Sequence, residues 1–67
     1  MWLIDKYGNA VNLSKCHCIY FCKDLKRVST NYIPDLDVSY DLKDFNNEVD
    51  AKKYIADLVK KMNGEEN

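Results

Sequence analysis

The chain is poor in the residues from which phosphate loops, imidazole catalysis and metal knuckles are built. It has two glycines, Gly8 and Gly64, too far apart to form a glycine-rich phosphate cradle. It has one histidine, His17, so any site that needs two imidazoles is excluded. Its single proline, Pro34, breaks one predicted strand and no other. Long apolar runs are missing too. Met1-Trp2-Leu3-Ile4 meets Asp5 and Lys6 at once, which is too short for the apolar region of a signal peptide. The uncharged stretch Cys16–Cys22 is far too short to cross a bilayer. The expected location is therefore cytoplasmic, with three free thiols (Cys16, Cys18 and Cys22), since an odd cysteine count without an export signal fits a reducing compartment. An excess of either charge is also lacking. A net charge of −1 argues against a general phosphate-binding surface, whose affinity would come from Lys and Arg neutralising phosphates.

What remains is enough for one small domain over residues 1–67. A chain this short buries only about 60% of its unfolded surface, so its stability margin is thin and a partner, a second copy of itself included, is the default expectation. Strands are predicted over approximately 2–6, 10–23, 27–33 and 36–42. Gly8-Asn9 marks the first hairpin turn. Ser14-Lys15 marks a bend or bulge, and Asp24-Leu25-Lys26-Arg27 the second reversal. Leu36, Val38, Tyr40 and Leu42 alternate with Asp37, Ser39, Asp41 and Lys43, one face on the core and one in water. A helix is predicted over approximately 48–63. Asn47 is its N-cap, with Asp50 three residues on. Ala51, Ile55, Leu58, Val59 and Met62 form its apolar stripe, and Gly64 its stop. The expected fold is α+β: an antiparallel four-stranded β-meander with one C-terminal amphipathic helix packed on one face.

Three residue groups invite a chemical reading. Cys16-His17-Cys18 with Cys22 resembles a ligand set, but strand alternation places the three cysteines on one face and His17 on the other. Same-face neighbours then lie roughly 6.6 Å apart, too far for one metal to collect them easily. Cysteines serving as small apolar strand residues are the better reading, and neither a metal nor another cofactor is expected. A metal-binding module using these thiols is the third-ranked functional alternative. The second group is Lys23, Lys26 and Arg27 near Tyr20 and Phe21, a candidate nucleic-acid patch. Its bland counterpart is a solvated hairpin tip. The third is the acidic run Asp35, Asp37, Asp41, Asp44, Glu48 and Asp50, which with Lys43 carries a net charge of −5. Such a row can imitate a line of phosphates on a partner's basic groove, although acids on the wet side of a strand and at a helix N-terminus need no such explanation. The aromatics Trp2, Tyr7, Tyr20, Tyr32, Tyr40 and Tyr54 exceed what one thin core can hide, and exposed Tyr and Trp are enriched at binding hot spots. No nucleophile has an identifiable base and orienting acid beside it, so no enzymatic activity is expected.

Trp2-Leu3 near the start, Gly8 followed by Val11-Asn12-Leu13, and Phe45-Asn46-Asn47-Glu48-Val49-Asp50-Ala51 with Tyr54-Ile55 and Leu58 carry a resemblance. They resemble a loose group of short β-meander-plus-helix proteins of low-GC Gram-positive bacteria, their phages and mobile elements. The resemblance covers both ends of the chain but not Cys16–Ile33. It implies a non-enzymatic interaction protein, an inhibitor of a host system of the anti-CRISPR or anti-defence type, acting by stoichiometric contact with a protein partner. The residues expected to make that contact are Asp35, Asp37, Asp41 and Asp44 with Tyr20, Tyr32 and Tyr40. The alternative is a small nucleic-acid-binding or regulatory module working through Lys23, Lys26 and Arg27.

Overall fold

A computed structural model of the chain describes residues 1–32 and 38–66. Two short strands, β1 (Trp2–Ile4) and β2 (Ala10–Asn12), pair as an antiparallel hairpin. Asp5 closes that hairpin. Its Oδ1 accepts the amides of Tyr7 and Asn9 at 2.9 and 2.8 Å, and its carbonyl accepts the Gly8 amide at 3.2 Å. Asp at the first position and Gly at the fourth is the composition of a type I turn, and Gly8 follows in the left-handed region at φ 86°. A Cβ there would be strained by the backbone angle alone.

A single 3₁₀ turn, Leu13–Lys15, then redirects the chain, with Asn12 Oδ1 accepting the Ser14 amide at 3.1 Å. Three antiparallel strands follow in spatial order: β3 (Cys16–Cys22), β4 (Arg27–Tyr32) and β5 (Ser39–Asp44). The architecture is α+β, as expected, but the sheet differs. The long strand predicted over 10–23 is broken at the capped 3₁₀ turn, so a three-stranded sheet stands beside a separate two-stranded hairpin where one four-stranded meander was expected. Asn12 is the physical reason: its side chain satisfies a turn amide that a continuous strand would have sent to a neighbour.

Helix α1 (Glu48–Glu66) lies across one face of the sheet. Asn47 caps it as the sequence predicts. Its Oδ1 accepts the Asp50 amide at 2.8 Å while its Nδ2 reaches the Asp50 carboxylate at 3.1 Å. The end differs from expectation, because Gly64 keeps a negative φ and the helix continues through it. Lys60 and Lys61 accordingly do not occupy the last turn.

Among the described residues the core is small: Val11 and Leu13 from the hairpin side, Val28 and Leu42 from the sheet, Ala51 and Leu58 from the helix. Ile55 and Met62 are half-buried against it, and Val59 is exposed although it lies on the predicted stripe. Lys43 Nζ sits 5.6 Å from the ring centres of both Phe45 and Tyr54, joining β5 to the helix through a cation–π contact. Thr30, at the middle of β4, is fully buried, and its hydroxyl has no hydrogen-bond partner among the described residues. No helix of the described residues is long and apolar enough to cross a membrane.

Candidate functional site

The sheet face turned away from the helix carries a polar network centred on Asp41. One carboxylate oxygen accepts Ser29 Oγ at 2.9 Å, and the other accepts Arg27 Nη1 at 2.9 Å and the Tyr7 hydroxyl at 3.2 Å. Asp44 extends it, 3.4 Å from Arg27 Nε and 2.8 Å from Lys6 Nζ. Burial pushes the Asp41 carboxyl up, but the hydrogen bonds from Ser29, Tyr7 and Arg27 and the guanidinium charge outweigh it, so the group lies below the ordinary carboxylate value. Arg27 shows the complementary balance: burial lowers it, and the bond and charge of Asp41 more than restore it. The Lys6 amide also donates to the Asp41 carbonyl at 3.1 Å. The network fastens the tip of the first hairpin onto the β5 edge.

The cysteine strand is arranged differently from the sequence expectation. A register shift between Cys16 and Ile19 inserts a bulge, so Cys16, Ile19 and Phe21 pack towards the core. Cys18, Tyr20 and Cys22 share the opposite face, where Asn31 Nδ2 lies 3.9 Å from Cys18 Sγ. Burial first, then the neighbouring Cys22 and Cys18 and the Asp41 charge, push the Tyr20 hydroxyl up. The three thiols are free, and among the described residues no three His, Cys, Asp or Glu side chains converge as a metal site. Beside this strand an open groove of about 580 Å³ runs between His17–Ile19 and the Ile55, Val59 and Met62 side of the helix. Among the described residues no carboxylate lines it, so none of these orients an imidazole or thiol at its rim.

A second groove, of about 310 Å³, is lined by Trp2, Ala10, Val11, Asn12, Lys15, Tyr32 and Tyr40. Tyr32 and Tyr40 meet edge to face at 6.3 Å across the β4–β5 pair. Trp2 and Ile4, two residues apart on β1 and therefore on one face, are 68% and 62% exposed. Apolar side chains this exposed contribute nothing to the core. Trp2 lines the groove, and Ile4 lies exposed on the same strand face without lining it.

The predicted contact residues are thus divided. Tyr32 and Tyr40 come together in a groove, whereas Tyr20 stands apart on β3 between two thiols. Asp41 and Asp44 are engaged within the protein, and Asp35 and Asp37 lie outside the described residues. The basic trio is divided as well. Arg27 is drawn into the Asp41 network, Lys23 Nζ lies 3.9 Å from Glu48, and Lys26 occupies the tight turn at φ 51°. Two residues that sequence reasoning underused are Asp5, signalled by the Asp-x-x-Gly turn pattern, and Trp2, named among the aromatics too many for one core but not among the expected contact residues.

Fold and surfaces together define a small α+β protein with a polar network on one face, in which the buried Arg27 Nε has no hydrogen-bond partner among the described residues, and exposed aromatic surface beside its hairpin. No protein-family model matches the chain, and no curated protein or solved structure is similar enough to count as a match.

Proposed function

We propose that this chain is a non-enzymatic protein-interaction module that works in the cytoplasm by stoichiometric contact, in the manner of small phage or mobile-element inhibitors of host systems. The observation that carries the reading is the exposed Trp2–Ile4 face of the hairpin beside the groove of Tyr32 and Tyr40. Tryptophan and tyrosine at the centre of a desolvated patch dominate binding energies, and truncating such an anchor costs at least about 2 kcal/mol. A rigid hairpin held at its tip by Asp41 presents that patch without a large ordering cost on binding. The acidic contribution to recognition then falls to carboxylates outside the Asp41 network.

The test is affinity capture from the source cell with wild-type chain and with Trp2→Ala and Tyr40→Ala as parallel baits. The reading expects a defined partner held in fixed ratio by the wild type and lost from Trp2→Ala, with the helical circular-dichroism signal unchanged. Equal capture by all three baits would remove the aromatic patch from the account. Specific retention of nucleic acid at about 150 mM salt, lost on Lys26→Glu, would favour the nucleic-acid alternative instead.

A further inference from the structure

We infer that β3 is a homodimer seam, pairing antiparallel with β3 of a second copy about a two-fold axis through Tyr20. The inference goes beyond the proposed partner contact and uses different residues. The two edges of the three-stranded sheet are treated unequally. The β5 edge is covered by the Lys6 amide bonded to the Asp41 carbonyl and by the Lys6 and Tyr7 side chains. β3 ends the strand order on the other side. Among the described residues, the one backbone bond reaching it from outside the sheet is Cys16 N–H to the Leu13 carbonyl, at its first residue. Natural edge strands are protected by lysine, proline or inward charges, and Cys18–Cys22 has none of these. The bulge stops at Ile19, so the uncharged segment beyond it is regular.

The sequence of that segment identifies the occupant. An isologous interface requires residue i to meet j of the partner and j to meet i. Cys18-Ile19-Tyr20-Phe21-Cys22 reads alike in both directions: thiol, large apolar, tyrosine, large apolar, thiol. A two-fold axis through Tyr20 opposes Cys18 to Cys22 and Ile19 to Phe21, and keeps each on its own face of the joined sheet. Five paired residues fall short of the roughly 1,200 Å² at the low end of stable interfaces. The groove beside β3, with exposed Val59 and half-buried Ile55 and Met62, supplies further apolar surface along the same edge. The core, small among the described residues, stands to gain from that burial.

Two measurements test this. Sedimentation of the purified chain should give twice the 7.9 kDa mass at high concentration. Tyr20→Lys, on the exposed face, should weaken the dimer at least about tenfold by opposing like charges across the axis. Cross-linking reads the register. In a Cys16→Ser background, added diamide takes two hydrogens from two thiols and is reduced to the hydrazine as a disulfide forms. Within one strand Cys18 and Cys22 lie roughly 13 Å apart, beyond disulfide reach, so only bridges between copies can form. Cys18→Ser alone and Cys22→Ser alone should each abolish the covalent dimer, and mixing the two should restore it. A chain that sediments at single-chain mass at ~100 μM, a dimer indifferent to Tyr20→Lys, or cross-linking by either single variant alone would overturn the inference.

Discussion

Removing the Asp41 carboxylate should cost more stability than any other single surface-facing change on the sheet. Asp41→Ala takes the acceptor from Ser29, whose residue is only 3% exposed and which has no water in easy reach. Leaving a buried donor unsatisfied costs about 1–3 kcal/mol, and the exposed Tyr7 hydroxyl adds a few tenths at most. A loss near ~2 kcal/mol is a large part of the roughly 3–10 kcal/mol expected for a chain of this size, and lowers the melting temperature by about 8–16 °C. The assay is urea and thermal unfolding followed by circular dichroism, with Ser29→Ala and the double variant completing a cycle. The coupling between the two sites should be at least ~1 kcal/mol. The pH dependence has a definite sign. The folded carboxyl lies below its ordinary value of 3.8, so its contribution is complete above that value and is lost as pH falls through the lower folded one. The gap between wild type and Asp41→Ala should therefore be widest at neutral pH and narrow in strong acid, where the neutral carboxyl still accepts from Ser29 but has lost its charge pairing with Arg27. A loss under ~0.5 kcal/mol at neutral pH, or a gap as wide below the folded value as at neutral pH, would refute the reasoning.

Three further outcomes follow from individual residues. Thr30→Val, which replaces an unpartnered buried hydroxyl with a methyl group of the same shape, should raise stability by about 1 kcal/mol in chemical denaturation. Lys26→Gly relieves a left-handed lysine at φ 51°, and should raise the unfolding free energy by about 0.5–1 kcal/mol in chemical denaturation, after allowing for glycine's greater freedom when unfolded. Asn47→Ala removes both helix-capping bonds and should cost about 1 kcal/mol, read as a fall of roughly 4–8 °C in melting temperature.

The helix start was legible because every determinant is local: Asn47, Asp50 and the apolar spacing lie within four turns of one another. The alternation of β5 was legible in part for the same reason: Tyr40 and Leu42 pack on the core and Asp41 faces away from the helix, but Val38, read on the core side, is exposed. Part of what escaped depends on contacts distant in sequence. The bulge between Cys16 and Ile19 separates Cys16 from the other two thiols, and its position is set by how β3 registers against β4. The bend read at Ser14-Lys15 is found as a 3₁₀ turn, but that Asn12 caps it and so divides the hairpin from the sheet is a choice that Asn12-Leu13-Ser14 leaves open. The end of the helix was misplaced because glycine permits a left-handed stop without requiring one, and Gly64 does not use it. For the site, the acids appeared as a free row because strand β5 was read without its partners. Arg27 and Ser29 claim Asp41 from a neighbouring strand, and Tyr7 from a turn 34 residues away in sequence.

The central claim is that the hairpin face around Trp2 recognises a protein partner by binding alone. Calorimetric titration of the purified chain into the partner isolated with it tests this most directly. The account predicts saturation at a fixed ratio and a loss of at least about thirtyfold in affinity for Trp2→Ala, whose melting temperature matches the wild type. Unchanged affinity of Trp2→Ala, or continuous heat from turnover of the partner after saturation, would contradict it.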